Sequence, residues 1–231
     1  MLSLDHVTAG YGDVAVLREV SVWVPQGSVV ALLGANGAGK TTLLRVASGL
    51  LKPTAGRLWL DKVDVTGQRP HKMAGRGVCH VPEGRGVFPN LTVRENLLVQ
   101  AAGRDVADAV DKAVSAFPIL GTKLGQPAGS LSGGQQQMLA LAHAYLSEPC
   151  YVLLDEVSMG LAPVVVDEIF EFLGKLAAAD CALLLVEQYV SRALELADYV
   201  YLINRGRIEF AGEPGELDSA QLTEQYLGAH A

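Results

Sequence analysis

The segment GANGAGKT, residues 34–41, fits the pattern G-x-x-x-x-G-K-[ST], a spacing suited to holding a chain of phosphates. Gly34, Gly37 and Gly39 allow the backbone to wrap closely around an anion, and the turn they make with Ala35, Asn36 and Ala38 offers amide donors. Lys40 brings a compact positive charge for the β- and γ-phosphates. Thr41 has a hydroxyl that can ligate Mg²⁺, and Thr42 continues into the next element. The bland alternative is a glycine-rich turn with a chance lysine. A buried apolar run, VVALL, directly before it and helical spacing directly after it favour the phosphate loop.

A second stretch, YVLLDE (151–156), ends an apolar strand in two acids. Asp155 would stand at the carboxyl edge of a sheet, where ligands of α/β folds gather. There it would hold Mg²⁺, directly or through water, and so neutralise charge on a transferred phosphoryl group. Glu156 would point elsewhere, free to orient or deprotonate a water. The competing reading, two acids capping the next helix, weakens beside a phosphate loop.

The third stretch is LSGGQQQM (131–138), poor core material but a good helix start. Ser132 is a natural N-cap, and the amides after it lie at the positive end of the helix dipole. One nucleotide already has its phosphates at 34–41. A second anion-binding helix start is therefore explained if it closes over a γ-phosphate presented by another molecule.

These residues need a scaffold, and the rest of the chain supplies its outline. Residues 1–33 alternate apolar and polar over short spans with turns at Gly10, Gly12 and Pro25-Gln26-Gly27, which predicts strands. TTLLRVASGL has helical spacing up to Gly49, and GRLWLDKVDV returns to strand. The middle, roughly 97–146, reads as helix. YVLLD and ALLLV (182–186) read as buried strands flanking a helical VVVDEIFEFLGKLAAA. YVYLINRGRIEFAG predicts a hairpin turning at Arg205-Gly206. Strands alternating with helices imply an α/β sheet carrying added antiparallel strands and a helical insertion.

At 231 residues with half of them apolar, the chain can bury a sizeable core, and its net charge of −7 argues against a nucleic-acid partner. Cys79, Cys150 and Cys181 are scattered and read as reduced core residues. No basic cluster followed by an apolar run opens the sequence. A long uncharged stretch, Val20–Gly39, is interrupted by proline and glycines. The expectation is a soluble, cytoplasmic chain that reaches a membrane by docking to it.

In this order, the motifs resemble the ATP-binding-cassette (ABC) ATPases over nearly the whole chain. The resemblance implies a P-loop α/β fold with a mainly parallel core sheet, an antiparallel β subdomain and a helical subdomain. Residues 1–231 would form a single ABC ATPase domain, the helical part at roughly 84–150 and a short tail at roughly 213–231. It implies that Tyr11 stacks on adenine. Ser132, Gly133, Gly134 and Gln135 of LSGGQ would complete the ATP site of the opposite subunit in a head-to-tail dimer. VPEGRGVFPNLTVRENL (81–97) resembles the Q-loop and the entry to the helical subdomain, which faces membrane subunits. EVSMGLAP (156–163) occupies the D-loop and VEQY (186–189) the H-loop.

Several residues depart from the usual family pattern. Glu83 stands where most members have glutamine, so it would meet Mg²⁺ as a charge, given a reference pKa of about 4.3. Gln188 replaces a histidine that contacts the γ-phosphate, and its amide donates a hydrogen bond but carries no proton. In the D-loop, Leu161-Ala162-Pro163 replaces a Leu-Asp ending and Val157 replaces a proline. Together VPEGR, GLAP and VEQ resemble the ATPases of branched-chain amino-acid uptake. The ATPases of urea and short-chain amide uptake share much of this pattern.

The resemblance thus implies ATP hydrolysis with Mg²⁺, driving solute import. Its partners would be a second ATPase subunit, transmembrane permease subunits and, indirectly, an extracytoplasmic solute-binding protein. The chain would sit peripherally on the inner face of the membrane. A soluble, non-transport ABC ATPase is the alternative, but the coiled-coil insertions, tandem cassettes or basic surfaces usual in such proteins are missing. A GTP switch would need Asn-Lys-x-Asp, and Asp61-Lys62-Val63-Asp64 lacks the asparagine. A subunit that binds ATP without hydrolysing it stays open because of Gln188.

Overall fold

The computed structural model describes residues 1–84, 86–100, 106–187 and 189–217. Two sheets share the chain. The first is antiparallel, in the order β2 (Val14–Val24), β1 (Leu2–Tyr11), β4 (Ala55–Leu60), β5 (Val63–Asp64). The second has the order β10 (Arg207–Gly212), β9 (Tyr199–Asn204), β3 (Val29–Leu33), β8 (Ala182–Val186), β7 (Tyr151–Asp155), β6 (Val78–Val81). From β9 to β6 the strands run parallel, and β10 pairs antiparallel with β9.

The central strands are apolar throughout because both of their faces are covered. All five residues of β3, β7 and β8 are buried. Val30 and Leu32 face one core, shared with the antiparallel sheet and with Leu43, Leu44 and Val46 of α1 (Lys40–Ala47). Val29, Ala31 and Leu33 face the other core, which the helices after β6 cover. Alternation along a strand thus ties every central strand to two packed layers.

Helices α3 (Val93–Gln100), α4 (Val106–Ala116), α5 (Pro118–Gly121) and α6 (Gly133–Leu146) follow β6. They bury Val93, Leu97, Ala113, Leu120 and Leu139 in the same core as the sheet. Asn96, 1% exposed, pins the entry to this unit. Its Nδ2 donates to the carbonyls of Phe88, Leu91 and Thr92, and its Oδ1 accepts from Phe88 N. α7 (Pro163–Ala178) and α8 (Val190–Leu196) flank β8.

The expected α/β fold, with its parallel core sheet and antiparallel strands, is present. The hairpin turn falls at Arg205-Gly206, as its sequence predicts. Three elements went unread: α2 (Pro70–Ala74), β6 and α8. Most of the tail expected at 213–231 lies outside the described residues.

Candidate functional site

Three strand ends meet at one edge of the parallel sheet, and each delivers a candidate residue. β3 leads into the glycine loop, β7 ends in Asp155, β6 leads to Glu83, and β8 lies between β3 and β7. The loop is held close to β9: a Cβ on Gly34 would lie 2.2 Å from the Ile203 carbonyl oxygen. Gly39 caps α1 with φ 112°, a left-handed geometry suited to glycine. The first α-helical bond of α1 runs from Leu43 N to the Gly39 carbonyl at 2.9 Å, so the amides of Lys40, Thr41 and Thr42 precede the helical ladder.

Lys40 is buried at 6% exposure. Its Nζ donates to the Gly34 carbonyl at 2.8 Å and to the Ala35 carbonyl at 3.1 Å, and it lies 3.8 Å from Glu156 Oε1. Burial holds its pKa below the ordinary lysine value, while the Glu156 and Asp155 carboxylates oppose that shift. Asp155 is 1% exposed and accepts from Thr41 Oγ1 at 3.2 Å. Burial raises its pKa; the Thr41 bond opposes this, and the nearby Glu156 and Glu83 charges add to it. A buried carboxylate under such pressure, bonded to a hydroxyl beside a phosphate-sized loop, fits Mg²⁺ that arrives with nucleotide phosphates. Thr41 and Asp155 would hold it, with Glu83 nearby as a further charge.

A cleft of about 530 Å³ is lined by Asn36, Gly37, Lys40, Thr41, Thr42, Glu83 and Glu156, together with Val16 and Met159. A second, of about 460 Å³, shares Glu83, Glu156 and Met159 and reaches Gln136 and Gln137 of α6. The structure therefore brings the loop, Asp155 at the end of β7, Glu156 after it and Glu83 together. Ser132, Gly133, Gly134 and Gln135 line neither cleft. Tyr11 also stands apart from the phosphate cleft; its half-exposed ring has the Arg45 guanidinium 6.0 Å from its centroid. Gln188, expected to contact the γ-phosphate, lies outside the described residues.

The sequence profile of the ABC transporter family matches residues 17–159. This chain belongs to that family. It is 40% identical to the high-affinity branched-chain amino acid transport ATP-binding protein BraG of Pseudomonas aeruginosa, over 99% of this chain and 100% of that one. It is 30% identical to the lipopolysaccharide export system ATP-binding protein LptB of Haemophilus influenzae, over 99% and 97%. The solved ADP conformation of MJ1267, an ATP-binding cassette of an ABC transporter, superposes with a TM-score of 0.86 at 26% identity, over 99% and 98%. The chain is thus an ATP-binding, ATP-hydrolysing cassette of a transporter.

In this ABC cassette the LSGGQ helix is capped from within. Ser132 Oγ accepts from Gln135 N at 3.4 Å, and Gln135 Oε1 accepts from Ser132 N at 3.2 Å. This reciprocal cap uses one backbone donor from each residue and takes up the Gln135 side-chain oxygen. Gly134 is needed for packing: a Cβ there would lie 2.6 Å from Val165 Cγ1 on α7. Valine is stiff at χ1 and cannot swing aside cheaply. Gly134→Ala is expected to cost about 1–3 kcal/mol by overpacking. A denaturant midpoint equal to that of the parent would refute this.

Sequence reasoning missed Val16 and Met159 in the cleft wall. A valine two residues after the start of an outer strand and a methionine in a turn carry no chemical signal. Their placement comes only from the meeting of two sheets.

Proposed function

We propose that this cassette hydrolyses Mg-ATP to drive import of branched-chain or other hydrophobic amino acids, working as a head-to-tail dimer beneath two permease subunits. The observation that carries the hydrolytic part is the grouping of buried Lys40 and Asp155 with half-buried Thr41 and Glu156 at one sheet edge. Lys40 and the loop amides would bind the β- and γ-phosphates, and Tyr11 would contact adenine. Bound Mg²⁺ would supply charge neutralisation at the phosphates. Glu156 would take a proton from the attacking water, and Gln188 would offer an amide donor on the γ-phosphate side. Ser132, Gly133, Gly134 and Gln135 would meet the partner's nucleotide.

Import of amino acids is favoured over export by the 40% identity to BraG along the full length, against 30% to LptB. Urea and short-chain amides remain the alternative cargo. Docking to the permease would use the segment around Phe88, whose backbone is pinned by Asn96 while its ring is 47% exposed. No helix among the described residues is long and apolar enough to cross a membrane. The proposed location is therefore peripheral, on the cytoplasmic face.

Lys40→Ala tests the phosphate-loop role. Loss of a charge aimed at the phosphates is expected to lower ATP affinity or turnover by at least about tenfold. Nucleotide titration and a phosphate-release assay check it. Equal affinity together with equal turnover would remove the assignment.

A further inference from the structure

The carboxyl end of β8 carries an acid that the motifs do not account for. Glu187 follows Val186 directly and is only 1% exposed. Its Oε1 accepts from Ser158 N at 3.1 Å, and its Oε2 accepts from Ser158 Oγ. Ser158 is itself fully buried. Two donors on two oxygens suit an ionised carboxylate, which can only accept. Taking such a charge out of water is costly, and simple packing of a serine would not require it.

What that charge holds is the turn carrying Glu156. Glu156 has φ 49°, a left-handed conformation uncommon outside glycine, asparagine and aspartate. Backbone of this kind persists only where its surroundings over-determine it, and it concentrates at functional sites. Here the fixings are visible. Glu156 N donates to the Val186 carbonyl at 2.9 Å, and two residues on, Ser158 is gripped by Glu187. Val186, the last residue of β8, and Glu187 directly after it thus hold both ends of a three-residue turn. Met159 N closes the turn with a bond to the Glu156 carbonyl at 3.3 Å. Beyond this turn, the Glu156 carboxylate stands 3.8 Å from Lys40 Nζ, in the wall of the phosphate cleft.

We propose that Glu187 is a positioning residue for ATP hydrolysis: by clamping Ser158 it holds Glu156 in the left-handed conformation that aims its carboxylate at the phosphate loop. The proposal rests on the reading of Glu156 as the group that activates water. It makes the acid before Gln188 a working part of this segment, acting through the D-loop of its own chain.

The test compares full-length Ser158→Ala, Glu187→Gln and Glu156→Gln, alone and with Ser158→Ala added to Glu156→Gln. Steady-state turnover and ATP affinity are measured for each, with thermal unfolding to confirm folding. Ser158→Ala removes one hydroxyl and is the variant that folds most readily. It is expected to lower kcat about tenfold while leaving ATP affinity within about twofold, the signature of lost transition-state alignment. Added to Glu156→Gln, it should cost almost nothing further, because the group it positions is already gone. Wild-type kcat in both Ser158→Ala and Glu187→Gln would overturn the clamp. A full tenfold loss in the Glu156→Gln background as well would also overturn it, leaving a general structural role. Wild-type turnover in Glu156→Gln alone would instead overturn the base assignment beneath it, a distinguishable result.

Discussion

Glu156→Gln is expected to lower steady-state ATP turnover by about 10²–10⁴-fold, the usual contribution of a positioned general base. The substitution replaces one oxygen by an amide of the same shape, so the turn held by Val186 and Glu187 is kept. Lys40, Thr41 and Asp155 remain in place, so Mg-ATP should bind as before. With binding intact and hydrolysis slowed, the ATP-closed dimer should live longer. Size-exclusion chromatography in Mg-ATP should then show a dimer where the parent elutes as a monomer. Undiminished turnover, with only monomer seen, would assign the base elsewhere.

Ser132→Arg is expected to abolish turnover nearly as completely while sparing nucleotide binding by the single chain. Ser132 is exposed at the start of α6, and neither it nor Gly133, Gly134 or Gln135 lines the cleft at the phosphate loop. In the proposed head-to-tail dimer, a long side chain there would fill the space taken by the partner's γ-phosphate. Simple attraction between arginine and phosphate predicts tighter binding; steric blockade predicts failure to close. Losing the cap also costs the helix about 1 kcal/mol, so unfolding must be monitored alongside. Equilibrium titration of the monomer checks the first half, and ATP-induced dimerisation the second. Loss of ATP binding in the monomer would mean that the helix serves its own nucleotide.

Residues whose chemistry depends on local spacing were plain in the sequence. GANGAGKT declares itself because the loop, its lysine and its threonine are contiguous, and the structure places Thr41 against Asp155 and Lys40 beside Glu156. YVLLD and ALLLV read as buried strands because both faces of the parallel sheet are covered, which leaves no alternation to confuse with helix. β6 was missed for the opposite reason. It is only four residues long, and His80 breaks its apolar run. The role of Asn96 as a pin was illegible because its partners, Phe88, Leu91 and Thr92, converge only after the loop turns back on α3. Glu187 escaped notice because its partner, Ser158, lies 29 residues earlier on another strand's exit. Sequence order shows groups that act together in a line. It hides pairs assembled by the sheet.

The central claim is that each ATP site is built from the phosphate loop of one chain and the LSGGQ helix of another, and a mixing experiment tests it most directly. Ser132→Arg and Lys40→Ala chains, each inactive alone, are combined in equal amounts with Mg-ATP, and phosphate release is measured. In a mixed dimer one site pairs the intact loop of the first chain with the intact helix start of the second. The opposite site carries both lesions. Random pairing in a two-fold dimer then restores about a quarter of the parent's intact sites, so turnover should reappear. If each chain instead completes its own site, every site in the mixture carries one lesion. Turnover no greater than the sum of the two inactive parents, in a mixture where mixed dimers are demonstrably formed, would contradict the account.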